Sequence, residues 1–447
     1  MRLLIVSNFY TPVLNARSFR WSAIAEEWVN NGHAVDVICA WQPGLARNEN
    51  INGVAVYRTG SSFLGKLQKN SKISKDGSSS KTSNAFSLDP VHVLKFILKK
   101  IYNFTWKKLY WPDFACIWQL SADKKAKQLC KENNYEWLVT VSFPFSSHLV
   151  GLKLNAQYSE MKWLVDSGDP FCFNPVQTNN HKLYSSLNKS IERKVFKNAD
   201  CLTVTTDGTL ELYVSIFPEI EKKIVVIPPL VNINKPSQNI SKIFPENKKI
   251  RISFLGILYP NIREPDGLLE MLYGVIDARP ELQELLELHF WGDCKTCMEN
   301  FQNYPKLTNL ITFHGYVSKD TAVSVMYQSD ILVNIGNNTS YQLPSKIVEY
   351  VVTGKSIINI CSIPDDSTRG YLKDYPLILN YDYFEECIEK DWQAILNFIQ
   401  QGSSRCVPDK IIQNYIAQHC TQTIAKQYLV AMENIFIHRN KEHYTKC

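Results

Sequence analysis

The 447 residues of this chain exceed what one hydrophobic core usually organises, so two domains of roughly 150 to 250 residues each are expected. Forty-nine Lys and Arg against 43 Asp and Glu leave a formal charge of +6, too small and too scattered for a dedicated nucleic-acid binder. With no run of about 18 apolar residues and no signal-peptide pattern the expected location is cytoplasmic, and 12 Cys scattered in apolar runs predict reduced thiols.

In chain order, short β-branched runs alternate with helical patterns, which predicts α/β domains built on doubly wound parallel sheets. The first-half strand candidates are 2–7, 34–39, 137–142, 162–166, 201–205 and 224–228. Between the first two, RSFRWSAIAEEWVNNGH reads as a helix with Phe19, Ile24, Trp28 and Val29 on its inner face and Gly32 as its stop. Residues 60–88 are rich in Ser, Lys and Gly and read as a mobile excursion. After them, Val93, Phe96, Ile97, Ile101, Phe104 and Leu109 recur at helical spacing among Lys95, Lys99, Lys100, Lys107 and Lys108, with Trp106, Tyr110 and Trp111 at one end. Such a basic amphipathic helix suits an anionic membrane surface, although an ordinary core-facing helix with a solvated lysine face fits the same pattern.

The polar stretch 233–249 is the best domain boundary, after which the strand rhythm restarts in RISFLG, LELHFWG, ITFHGY, ILVNIG, SIINIC and LILNYD. Helical patterns at 265–278, 318–328 and 344–354 separate them. The division expected is an N-terminal Rossmann-like domain over 1–235, a C-terminal one over 249–405, and a helical segment over 406–447 packing back toward the N-terminal domain. Ligands of open α/β sheets bind outside the carboxyl ends of the strands, so a cleft between the domains is the default site.

The turn after the first strand, SNFYTPVLNARSFRW, lacks the three glycines of a dinucleotide loop, and no GxxxxGK[ST] is present, so hydride transfer and P-loop hydrolysis are disfavoured. Cys294 and Cys297 form an isolated CxxC with no companion pair at zinc spacing and read as structural. More informative is FLGILYPNIREPDGLLEML, where a strand ends at Gly256 and Arg263 precedes a helix whose free amides favour a phosphate. Downstream, Pro344 starts a helix with Lys346 in its first turn, Glu349 three residues on and Gly354 as its stop. A cation and a carboxylate there could hold a diphosphate and a ribose, and a plain structural ion pair is the alternative.

Taken in order, SNFYTPVLNARSFRWSAIAEEWVNNGHAVDVI, SFPFSSHLVGLKL, WLVDSGDPFCFNP, IERKVFKNADCLTVTT, IVVIPPLVN, FLGILYP, FHGYVSKDTAVSVMYQSDILV and LPSKIVEYVVTGKSIINI resemble the GT4-type retaining glycosyltransferases of the GT-B superfamily, in the branch that builds bacterial capsule and O-antigen polysaccharides. The resemblance implies a GT-B fold of two Rossmann-like domains facing a central cleft. By it, Glu349 matches the second acid of an EX7E element that holds the donor ribose, and Lys346 a basic residue of the same branch. Arg263, seven residues after Gly256, takes the place of a diphosphate-binding cation, and Tyr316 and Val317 that of the stretch whose backbone reads the nucleobase. Asp169 belongs to a DP-aromatic motif and His148 to an SSH motif at a helix start, both implied to be catalytic or sugar-contacting along with Arg263 and Lys346. From the residues alone, a turn residue at Asp169 and a helix cap at His148 are the alternatives.

Two positions depart from the pattern: Tyr341 stands where the first EX7E acid belongs, and Ile257 follows Gly256 where a second Arg is common. Asn337, Asn338 and Gln342 lie nearby and could contact sugar hydroxyls. The expected function is transfer of a sugar, with retention, from a nucleoside-diphosphate-sugar donor to an undecaprenyl-linked saccharide acceptor, on the inner face of a bacterial membrane. No cofactor and no metal is expected, because no carboxylate cluster suggests a divalent ion, and no nucleic acid is an expected partner. A GT-B-like sugar-nucleotide epimerase and a non-catalytic subunit of a polysaccharide assembly remain the alternatives.

Overall fold

The computed structural model describes residues 1–13, 15–60, 109–174, 181–231, 242–384, 391–402 and 404–444. Of the expected excursion and basic helix, only Gly60 and Leu109–Trp111 fall among them, and residues 233–241 of the polar linker lie outside. The chain forms two compact units, one of Met1–Val204, Tyr213–Val226 and Ala425–Cys447, the other of Thr205–Leu212 and Ile227–Ile424.

The first unit holds β1 (Arg2–Ser7), β2 (Ala34–Ala40), β3 (Asn48–Ile51), β4 (Val54–Thr59), β5 (Trp137–Val141), β6 (Lys162–Asp166), β7 (Cys201–Val204) and β8 (Ile224–Val226). They form one sheet in the order β3-β4-β2-β1-β5-β6-β7-β8. All pairings are parallel except β3 with β4. The central strands are buried almost end to end, as unbroken apolar runs require when helices cover both faces. The antiparallel hairpin β3–β4 is absent from the sequence expectation. Its turn is Asn52-Gly53, with φ of 50° and 86°, the left-handed pair that a two-residue hairpin demands, and this Asn-Gly flanked by alternating residues was the available signal.

Helices α1 (Ala16–Asn30), α2 (Trp118–Glu132), α3 (Ser146–Gln157), α4 (His181–Asn198) and α5 (Asp207–Ile216) follow these strands. Asn15 caps α1 by accepting from the Arg17 amide. The buried stripe of α1 is Trp21, Ile24, Ala25 and Trp28, whereas Phe19, expected on that face, is 40% exposed. Phe19 lies five residues from Ile24 and hence roughly 140° around the helix.

The second unit holds β9 (Ile250–Leu255), β10 (Leu286–Trp291), β11 (Ile311–Gly315), β12 (Ile331–Ile335), β13 (Ser356–Cys361) and β14 (Ile378–Asp382), in the order β11-β10-β9-β12-β13-β14, all parallel. Its helices are α6 (Asp266–Ala278), α7 (Met298–Gln302), α8 (Lys319–Gln328), α9 (Ser345–Thr353), α10 (Ser367–Tyr371), α11 (Trp392–Gly402), α12 (Asp409–His419) and the start of α13 (Thr421–Tyr444). One face of the sheet packs Leu268, Phe290, Ile360 and Ile399, and the other packs Leu255, Leu332, Ile347 and Val351. The order in which successive strands are added reverses about β1/β5 in the first sheet and about β9/β12 in the second, the switch points where open α/β sheets take their ligands. Among the described residues no helix is long and apolar enough to cross a membrane.

Candidate functional site

At the switch point of the second sheet the chain leaves β9 at Gly256 and makes a tight loop, closed by paired backbone bonds between Tyr259 and Arg263 with Asn261 at φ 63°. The loop is pinned at its base: Leu258 N–H donates to the Asp293 carbonyl, and the Thr296 hydroxyl to the Leu258 carbonyl. Gly292, at φ 127°, packs so closely that a Cβ there would fall 1.9 Å from the Gly256 carbonyl oxygen. Cys294 and Cys297 are both buried in the core beneath this loop.

The loop presents Arg263. Its Nε and Nη2 donate to Asn337 Oδ1 at 3.2 and 2.6 Å, and among the described residues it makes no ion pair with a carboxylate. Burial pushes its pKa below the ordinary guanidinium value, which marks a cation held where water is scarce. Asn337 follows β12, and Asn338 N–H donates to the Ile262 carbonyl, so the two loops of the switch point are tied together. A half-buried cation whose bonded partner is a neutral amide leaves positive charge to be balanced by something else.

Helix α9 is fixed beside this loop by Tyr350, whose hydroxyl exchanges hydrogen bonds with the Leu255 amide and carbonyl at the end of β9. It begins after Pro344 with no side chain capping its first amides and ends at Gly354 in the left-handed conformation. Lys346 Nζ and Glu349 Oε2 are 3.9 Å apart, with side chains 39% and 40% exposed. At that exposure the pair contributes little to stability, and both groups stay accessible. The Tyr341 carbonyl accepts from both the Thr206 and Thr209 hydroxyls, at 2.5 and 2.7 Å, so the loop before α9 is fixed through its backbone. Tyr316, 67% exposed, follows Gly315 at the end of edge strand β11, while Val317 packs partly into the core beneath α8. Asp366 caps α10 by accepting from the Thr368 and Arg369 amides.

Below these loops Asn334, Asn359 and Asn380 stand in register on β12, β13 and β14 and bond side chain to side chain. This ladder, joined to Thr368 and Asp366, spends its polar groups internally and sets where the loops emerge.

The first sheet's switch point is built differently. Asp113, fully buried, accepts from the Ser146 amide and hydroxyl and so occupies the N-terminus of α3, a role sequence reasoning missed although a lone Asp in WPDFA among apolar neighbours marks a partnered acid. His148 has no exposed surface. Its Nδ1 is hydrogen-bonded at 2.8 Å to Thr140 Oγ1, which also accepts from Trp163 Nε1. Nε2 has no partner among the described residues, and burial lowers the ring's pKa to about 3.

Asp166, at the end of β6, accepts from Trp21 Nε1, Thr203 Oγ1 and the Tyr428 hydroxyl, and Tyr428 in turn accepts from Arg20. It therefore fastens α13 to the sheet. Asp169, 43% exposed, pairs with Arg17 at 2.9 Å, an arginine at the start of α1 that sequence reasoning did not single out.

Two parallel Rossmann-like sheets, each with its helices, define the GT-B glycosyltransferase fold. The chain is similar over 98% of its length to sucrose-phosphate synthase from Thermosynechococcus elongatus, covering 99% of that chain at 14% identity and a TM-score of 0.58. It is similar over 97% of its length to a UDP-forming trehalose-phosphate synthase from Burkholderia xenovorans, with 99% of that chain, 11% identity and a TM-score of 0.61. A third similar structure, the trehalose-6-phosphate protein from E. coli bound with UDP-2-fluoro glucose, matches 96% of this chain and 98% of its own at 9% identity and a TM-score of 0.61. No protein-family model and no curated protein sequence matches the chain.

Proposed function

We propose that this protein is a glycosyltransferase whose second unit holds a nucleoside-diphosphate-sugar donor, with Arg263 and Lys346 on the diphosphate, Glu349 on the ribose, and the backbone at Tyr316 and Val317 on the base. The observation that carries the reading is Arg263, a half-buried cation at the switch point whose bonds go to a neutral amide. An arriving diphosphate supplies the charge it lacks, and the uncapped start of α9 adds amide donors. As the glycosidic bond breaks, negative charge grows on the leaving diphosphate, so a preorganised guanidinium stabilises the transition state more than the bound donor. A similar structure carrying UDP-2-fluoro glucose supports a nucleotide-sugar donor.

The finer reading is a GT4-type enzyme, retaining and independent of metal, serving capsule or O-antigen synthesis with an undecaprenyl-linked saccharide as acceptor. Asp169 is its exposed candidate for contact with the reacting sugar; His148 must lose its enclosing neighbours before it can touch one. Support for a peripheral position on an anionic membrane comes from the lysine-rich pattern at 93–111 in the sequence. Calorimetric titration with UDP, GDP and dTDP tests the donor site: one of them should bind to the wild type and fail to bind to Arg263→Gln. A protein that binds none of the three does not take a UDP-, GDP- or dTDP-sugar donor at this site.

A further inference from the structure

Away from the Arg263 loop, the second unit carries a half-open cavity of about 380 Å3 between the end of α10 and the exposed flank of α12. Its α12 wall is made by Ile411, Asn414, Tyr415 and Gln418, which recur at i, i+3, i+4 and i+7 and so form one stripe along the helix. A stripe that packed into the core would be apolar at all four places. This one interleaves an aromatic ring with two amides, both exposed.

Facing it are Tyr371, Lys373 and Asp374. The two tyrosine rings lie 5.7 Å apart at 62° to each other. Their hydroxyls are spent within the protein: Tyr371 on His419 Nε2 at 2.9 Å, Tyr415 on the Tyr371 carbonyl at 3.4 Å. The imidazole can accept from Tyr371 because its Nδ1 donates to the Pro229 carbonyl. Both rings are thereby held in place and offer hydrocarbon surface to the cavity. The polar side chains around them are unspent, since Asn414, Gln418, Lys373 and Asp374 make no side-chain hydrogen bond or ion pair among the described residues.

Fixed aromatic surface beside free amides, a carboxylate and an ammonium complements a ligand with apolar C–H faces and a rim of hydroxyls acting as both donors and acceptors. Purely apolar ligands would strip water from four polar groups without replacing it, and a simple anion would leave the rings unused and meet Asp374. We infer that this cavity is a saccharide-binding site, separate from the donor site, that takes one or two sugar units of an oligosaccharide. In an enzyme that extends glycans such a site retains the growing chain, but the binding itself is independent of the proposed transferase activity.

The test is saturation-transfer NMR and calorimetry on the full chain with maltoheptaose, cellohexaose and tetragalacturonate. At least one should bind, about tenfold more weakly in Tyr415→Ala and in the double variant Asn414→Ala/Gln418→Ala. Tyr415→Phe, which keeps the ring, should bind like the wild type. The double variant changes two exposed amides, so it reads out even if loss of the tyrosine unfolds the chain. Binding of UDP, GDP or dTDP should be the same in all of these variants, which separates this inference from the donor reading. Absence of binding to all three oligosaccharides, or binding unchanged in the double variant and in a folded Tyr415→Ala protein, overturns it.

Discussion

The switch points of the two sheets occupy equivalent places in similar folds, yet their polar groups are spent in opposite ways. At the first unit's switch point the buried acids are answered from within, Asp113 filling the N-terminus of α3 and Asp166 taking three donors, and His148 Nε2, without a partner among the described residues, is fully enclosed. In the second unit Arg263 bonds to an amide, α9 starts without a cap, and Lys346 and Glu349 stand half exposed. Satisfied polar groups stabilise a scaffold, whereas unsatisfied ones are tolerated where a ligand completes them. The contrast distinguishes the switch point proposed to bind a diphosphate from the one whose acids are internally partnered, without reference to any relative.

The largest effect expected from breaking this contrast is at Asp166. Replacing it with Ala leaves Trp21, Thr203 and Tyr428 with buried donors and no acceptor, and should cost about 4 kcal/mol of stability in urea unfolding. A loss under about 1 kcal/mol would mean the network is slack. Arg263→Leu is the converse experiment. It should weaken nucleoside-diphosphate binding about a hundredfold while leaving the melting temperature unchanged or higher, because the cation removed has no carboxylate partner among the described residues. A variant that loses stability along with binding would make Arg263 structural.

His148 sharpens the comparison through pH. Its folded pKa of about 3 lies below the unfolded value, so below pH 6.5 the unfolded chain takes up a proton that the folded chain refuses, and stability falls as pH drops toward 3. From pH 7 to pH 5 this contribution is about 2 kcal/mol, and His148→Leu should flatten the acid limb of the stability profile by that amount. Asp113, Glu192 and Asp366 are raised by burial and act with the opposite sign at the acid end, so the difference between wild type and variant is the quantity to measure. The smallest effect belongs to Lys346→Gln: an ammonium 39% exposed should contribute about tenfold in donor affinity, fading as salt is raised. Equal losses at Lys346 and Arg263 would mean that burial does not set their relative weight.

Much of this was legible in the sequence because it depends on period and local chemistry. Unbroken apolar runs gave the central strands to within two residues, and Pro344 and Gly354 bracket α9 because one lacks an amide hydrogen and the other tolerates a left-handed turn. Arg263 could be singled out because it stands in the loop between the strand-ending Gly256 and the start of the next helix. The hairpin β3–β4 was missed because its strands are short and half exposed, and Phe19 was misplaced because apolar character alone does not fix a helical face.

What only the tertiary structure decided is how each polar side chain is spent. Nothing in the local sequence says that Asp113 reaches the start of α3, 33 residues away, that Tyr428 closes on Asp166 from 262 residues away, or that Asn337 is the neutral partner of Arg263. Strand and helix identity follow from periodicity, a property of neighbours along the chain. The satisfaction of a buried hydrogen bond or charge is a property of neighbours in space, and it exists only once the sheets have formed.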